Sequence, residues 1–321
     1  MKTLFDTVLV QRLFASAIFA VAPAVALAQI TNTPAIATKI IGMGPDLSPQ
    51  MVGGTTKLYA PLYAKGDLTG VRLTSDQRYG SHERQLLDVY APRDANGSQP
   101  ILVFAHGGGF VRGDKKSVAN IGRYFAKNDV VAIPVNYRFA PASKWPSGAE
   151  DMALAIKWIR ANAKVHGGNP AKIIVAGHSA GSMHAADYLF REELQVKDDG
   201  VIAGILISPP TVDLKGRKID PRRDALYYGT DGDRTMQSVV NALDGRKLPV
   251  MIAYAEHEPA VISDQTQRLI NALARRDKRL PLVVSAAGHN HISIVAHIGT
   301  VDETLGPSLL SFIRLNALMA K

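Results

Sequence analysis

The sequence predicts an α/β fold: a mostly parallel, doubly wound sheet with helices on both faces. Three observations carry that prediction. From about Gln85 onward, short β-branched runs alternate with longer stretches of helical period. Several of the runs are apolar almost throughout, as strands are when helices cover both sides of their sheet. The length of 321 residues, 46% of them hydrophobic and 20% charged, suits one large α/β domain or at most two smaller ones.

Taken in order, the first segment stands apart from the fold. Lys2 and Arg12 precede an apolar or small stretch, LFASAIFAVAPAVALA, over 13–28, and Ala26-Leu27-Ala28 fits the small-x-small pattern before a cleavage point at Gln29. Residues 1–28 are therefore expected to be a secretory signal peptide, placing the mature chain in the periplasm or outside the cell. The stretch is short for a bilayer span and holds Pro23, and no second apolar run approaches spanning length, so no stable membrane span is expected after cleavage. Residues 29–70, rich in Thr, Pro and Gly, show no long period and are expected to be an irregular covering segment with a possible contribution to a lid. Residues 71–321 are expected to form the α/β domain.

Within it, LLDVYAP, ILVFAH, VVAIPVNY, KIIVAGH, VIAGILIS, PVMIAYA and LPLVVSA are strands by composition and length. SVANIGRYFAKN, GAEDMALAIKWIRANAKV, AGSMHAADYLFREEL, AVISDQTQRLINALARR and PSLLSFIRLNALMA carry the helical period between and after them. This βαβα rhythm implies parallel neighbours. Residues 209–246 interrupt it with weak helical pieces.

Charge and cysteine content exclude several classes. The formal charge is +9, but the basic residues lie in scattered pairs such as Lys115-Lys116 and Arg275-Arg276 with acidic residues between them, so a solvated surface and no nucleic-acid partner is expected. There is no cysteine, which rules out disulfides, thiolate nucleophiles and cysteine-ligated metal sites.

Two motifs carry chemistry. Gly177-His178-Ser179-Ala180-Gly181 is a G-x-S-x-G pattern between a predicted strand and a predicted helix, where the turn lifts a serine hydroxyl off the sheet. Upstream, HGGGF at 106–110 follows the run ILVFA. Three glycines there forgo side-chain packing and cost about 0.5–1 kcal/mol each relative to alanine in an element interior, which calls for a reason. Attack of a serine on an ester carbonyl supplies one: charge develops on oxygen, and bare amides of Gly108 and Gly109, beside that of Ala180, can form an oxyanion hole. His106 is expected to brace the loop and His178 to pack beneath the turn.

The two motifs, with YGSHERQLLDVYAP before and NYRFAPASKWPSGAEDM between, resemble the carboxylesterase branch of the α/β-hydrolases. The likeness runs from about Val71 to Leu315 and is nearest to hormone-sensitive-lipase-like and bacterial feruloyl-esterase-like groups. It implies an α/β-hydrolase fold of about eight strands, a small-molecule ester substrate with a short or aromatic acyl group, and no cofactor. It also implies Ser179 as nucleophile, then an acid, then a histidine in chain order. Gly288 followed by two residues selects His291 as the base, with His289 in reserve. Glu258, before Pro259, takes the place of the family's usual aspartate, with Glu256 and Asp264 as alternatives. The family commonly has a glutamate where this chain has Ala142, which favours the feruloyl-esterase-like group. Arg138 and Asp151 are expected to be structural. No HExxH is present to suggest metal hydrolysis. The same machinery would cleave amides, and a non-catalytic binding module on this scaffold is the reading from another class.

Overall fold

A computed structural model describes residues 34–63, 66–215, 217, 220–243 and 245–320. The expected signal peptide at 1–28 lies outside the described residues. Among those residues one eight-stranded sheet runs in the order β1-β2-β4-β3-β5-β6-β7-β8. Its strands are β1 (Val71–Arg78), β2 (Leu86–Pro92), β3 (Gln99–Ala105), β4 (Val131–Val135), β5 (Gly168–His178), β6 (Val201–Ile207), β7 (Val250–His257) and β8 (Leu282–Asn290). The pairs β1/β2 and β2/β4 are antiparallel, and every other neighbouring pair is parallel. The mostly parallel sheet expected from the apolar runs is present. Strand β1, VRLTSDQR, has no such run because it is an edge strand, half-exposed along its length.

Helices α1 (Pro34–Met43), α2 (Pro49–Tyr59), α3 (Ala119–Ala126), α4 (Ser147–Asn162), α5 (Ala180–Phe190), α6 (Asp224–Tyr228), α7 (Arg234–Gln237), α8 (Ala260–Asp277), α9 (Ser293–Ala296) and α10 (Gly306–Met319) flank the sheet. The core divides into two layers, one on each face. One gathers Leu87, Val103, Ile133, Val175 and Leu206 with α4 and α5, and the other gathers Leu102, Phe104, Ala132, Ile174 and Ile205 with α3 and α10. Alternate residues of the same strand thus enter opposite layers, as the pleat dictates.

The expectation of an irregular segment over 29–70 is corrected for 34–59, which is largely helical. The signals for α2 are local: the Ser48 hydroxyl caps the Met51 N–H (3.1 Å) and Pro49 opens the first turn. Met51, Thr55 and Tyr59, spaced by four, form its buried stripe. Two glycines and two threonines within the helix dilute that period, so tertiary packing holds a segment whose own propensity is weak.

Candidate active site

The site assembles at the carboxyl ends of the central parallel strands, where open α/β sheets place their ligands. Ser179 sits between β5 and α5 at φ 54° and ψ −125°. Positive φ is uncommon for a residue with a side chain and is held here by its surroundings. The Ser179 N–H donates to the Ile207 carbonyl (2.9 Å), and its own carbonyl accepts from the Ser182 N–H (2.9 Å) and hydroxyl (2.6 Å). A Cβ on Gly177 would fall 2.2 Å from the Gly181 carbonyl oxygen, and one on Gly181 would fall 2.2 Å from that of Ala105. The spacing of glycines around the serine is therefore a requirement of backbone passing backbone.

The glycine loop lies directly beside this turn. A Cβ on Gly107 would approach the Ser179 Cβ to 3.2 Å. Gly108, at φ 145°, would place a Cβ 1.8 Å from the Arg112 carbonyl oxygen, so the loop path excludes any side chain there. Among the described residues, the N–H groups of Gly108, Gly109 and Ala180 have no protein acceptor, which leaves three donors free beside the serine. His106 braces the loop: its Nδ1 is 2.7 Å from the Gly107 carbonyl, its own carbonyl accepts the Tyr137 hydroxyl (2.8 Å), and its ring stacks on Tyr137. Phe110 anchors the far end by stacking on Tyr227 at 4.5 Å between ring centroids. Tyr227 belongs to the interrupted 209–246 region, which thus packs against the glycine loop.

The histidine comes from the turn after β8. His291 Nε2 is 2.9 Å from Ser179 Oγ, and His291 Nδ1 is 2.7 Å from Glu258 Oε2. With Nδ1–H donated to the carboxylate, Nε2 is left to accept from the serine. His178 packs beneath the turn and donates its Nε2–H to the His291 carbonyl (2.8 Å), tying the residue before the serine to the histidine backbone. Burial, and then the neighbouring His291, hold the His178 ring well below the usual histidine range, so it is a neutral donor.

Glu258, just past β7, is fully buried. Burial alone would raise its carboxyl, but attraction to His291 and hydrogen bonds from His291, Ser208 and the Ala255 N–H outweigh it, and the net direction is downward. It is held as a carboxylate. The alternatives lie elsewhere: Glu256 is more than half exposed and accepts the Gly288 N–H (2.8 Å), while Asp264 pairs with Arg268 (2.8 Å) on the outer face of α8.

His289 does not reach Ser179. Its Nδ1 is 3.0 Å from Ser293 Oγ and its Nε2 is 3.3 Å from Asp302 Oδ2. His289, His297 and Asp302 bring ligand atoms within 4.8 Å of one another, the spacing of a metal site. The donors do not fit one. His297 Nδ1 is 2.8 Å from the Ser293 carbonyl and its Nε2 accepts the Leu305 N–H (3.1 Å), so both ring nitrogens are already used. Arg138 and Asp151 form a brace behind the loop, with Nε to Oδ1 at 2.8 Å and the Arg138 N–H on Oδ2 at 2.7 Å.

Two contributors escape the sequence analysis. Ser208, at φ 51° past the end of β6, donates its hydroxyl to Glu258 Oε1. Asn290 caps the turn that holds His291, accepting the N–H groups of Ile292 (3.0 Å) and Ser293 (2.9 Å). A small polar residue ending an apolar strand is the only signal the first leaves in the sequence.

Comparison with known proteins fits this geometry. The BD-FAE family model matches residues 87–190, from β2 through the serine turn to the end of α5. Carboxylesterase NlhH of Mycobacterium tuberculosis is 36% identical over 94 residues, covering 29% of this chain and 30% of that protein. A probable isoprenylcysteine alpha-carbonyl methylesterase of Oryza sativa is 31% identical over 122 residues, 38% of this chain and 29% of that one. The chain thus spans less than a third of the length of these curated relatives. Among solved structures, the bacterial heroin esterase superposes with a TM-score of 0.67 at 21% identity, covering 88% of this chain and 97% of that one. Inhibited esterase B from Lactobacillus rhamnosis superposes with a TM-score of 0.68 at 18% identity, covering 89% and 97%. The structural matches establish the fold.

Proposed function

We propose that this chain, an α/β-hydrolase of the carboxylesterase branch, is an exported serine esterase acting on short-chain or aromatic carboxylic esters. The observation that carries the proposal is the continuous hydrogen-bonded path from Ser179 Oγ through His291 to Glu258, beside three amides that no protein acceptor takes.

Ser179 Oγ attacks the ester carbonyl carbon as its proton passes to His291 Nε2. The resulting oxyanion accepts hydrogen bonds from the amides of Gly108, Gly109 and Ala180. The imidazolium is stabilised by Glu258, which stays ionised, and returns its proton to the departing alkoxide. Water then attacks the acyl-enzyme by the same route and frees Ser179 and the acid. No step calls for a cofactor. Names of similar proteins support the ester bond as the target, since NlhH and the structural neighbours are called esterases.

Export rests on the Lys2 and Arg12 flanks and the Ala26-Leu27-Ala28 triplet. No helix among the described residues is long and apolar enough to cross a membrane. Hydrolysis of p-nitrophenyl acetate, butyrate and octanoate and of a ferulate ester, by wild type and by Ser179→Ala, tests the reading. Wild-type turnover falling with acyl length and lost in the variant supports it, and equal rates from both proteins overturn it. Fractionation of cells expressing the full chain, with sequencing of the mature amino terminus, tests cleavage after Ala28.

A further inference from the structure

Asn290 stands between the two histidines and every polar end of its side chain is engaged. Its Oδ1 accepts from the N–H groups of Ile292 and Ser293, and its Nδ2 donates to Thr55 Oγ1 at 2.9 Å. Its own N–H goes to Ser293 Oγ at 2.9 Å. Thr55 lies 235 residues earlier, on the buried stripe of α2, and both side chains are 0% exposed. The Thr55 hydroxyl hydrogen faces only the sulfurs of Met43 (3.8 Å) and Met51 (3.7 Å), weak acceptors that leave the oxygen's lone pairs to the Asn290 amide.

A carboxamide can sit two ways round. Reversed, the Asn290 NH2 would face two backbone N–H donors and its oxygen would lose both of them. The Thr55 oxygen adds to this preference because it accepts a donor on the opposite side. Inside a buried site, losing that acceptor leaves an unpaired amide hydrogen and a reason for the turn to open. His291 lies within that turn, and its Nε2 must stay within hydrogen-bond reach of Ser179.

We propose that Thr55 is a positioning residue: through Asn290 it fixes the turn that aims His291 at Ser179, making helix α2 a working part of the hydrolytic site. This rests on the serine esterase reading above.

Thr55→Val keeps the shape and removes the hydroxyl, Thr55→Ala removes it with different packing, and Thr55→Ser restores it. Because displacements near 1 Å can cost 10²-fold, a smaller tilt is expected to lower kcat on p-nitrophenyl butyrate about 10-fold in Thr55→Val and Thr55→Ala, with KM unchanged. Fluorophosphonate labelling of Ser179 should slow by the same factor, and Thr55→Ser should recover to within about twofold. Activity per folded molecule equal to wild type in the Val and Ala variants, or equal losses in all three, overturns the proposal. A wild type that neither turns over esters nor takes the probe sinks the esterase reading instead. The downfield proton resonance of His291 Nδ1–H, bound to Glu258, then still reports on Thr55: it moves in Thr55→Val and returns in Thr55→Ser if the coupling exists, and stays fixed in both if it does not.

Discussion

Two serine, histidine and carboxylate chains, their histidines two residues apart at His289 and His291, differ in almost everything but composition. Ser179, His291 and Glu258 end at a hydroxyl that is partly exposed, raised on a turn at positive φ, with three amides free beside it. Ser293, His289 and Asp302 are all buried, and the Ser293 hydroxyl is already taken up by the Asn290 N–H. In both chains burial pushes the carboxyl up and the histidine partner draws it down further, so both acids are held as carboxylates. What separates them is what surrounds the oxygen. The residue triple supplies a base and its orienting acid, but reaction also needs room for a carbonyl and donors for the charge that forms on it.

Substitutions in the outer chain should act on turnover. Ser179→Ala is expected to lower kcat on the order of 10⁶-fold with the fold intact, read by ester turnover and by thermal unfolding. Ser293→Ala is expected to keep kcat within about one order of magnitude. Glu258→Gln should cost on the order of 10⁴-fold, because the amide favours the wrong tautomer of His291. Gly108→Ala, whose methyl group would collide with the Arg112 carbonyl, should lower kcat on the order of 10²-fold by displacing oxyanion donors.

The inner chain should answer in stability. Asp302→Ala leaves the His289 ring buried beside an empty site and is expected to cost about 3 kcal/mol in urea unfolding. The kcat of its folded fraction should remain within a few-fold of wild type. A loss of kcat matching that of Glu258→Gln would show that the two chains act as one.

Stability also depends on pH, through buried histidines outside both chains. Burial lowers His106 to about 4 and His184 and His297 to about 3, from 6.5. Between pH 6.5 and those values the unfolded chain binds more protons than the folded one, so stability falls as pH falls. Each such ring contributes up to about 1.4 kcal/mol per pH unit in that window. His184→Gln should therefore flatten the decline of the urea midpoint below pH 6 by one proton's worth.

How much of this was legible depends on whether a residue's role is local. The strands from β2 to β8 were visible because helices cover both faces and leave runs apolar throughout, as in ILVFA and KIIVAG. Edge strand β1 and helices α1 and α2 were not, since neither burial pattern stands out from its neighbours. Ser179 and the glycines were marked by spacing, because Gly108, Gly177 and Gly181 each answer to a backbone atom a few residues away or on the adjoining strand. The choice of Glu258 over Glu256 and of His291 over His289 came from resemblance to a family. Two positions along a continuing strand would face the same side; here Glu256 and His289 lie on β7 and β8 while Glu258 and His291 lie past their ends, so the path of the turn separates each pair.

The layered α/β architecture and the turn that carries Ser179 follow from the sequence alone, since hydrophobic period and glycine spacing act over short distances along the chain. Only the tertiary structure decided which histidine meets the serine, which hydroxyl braces Glu258, and that a threonine on α2 supports the turn through Asn290. Those are contacts between residues 33 to 235 positions apart, and a hydrogen bond between such residues leaves no period or spacing for a linear reading to detect.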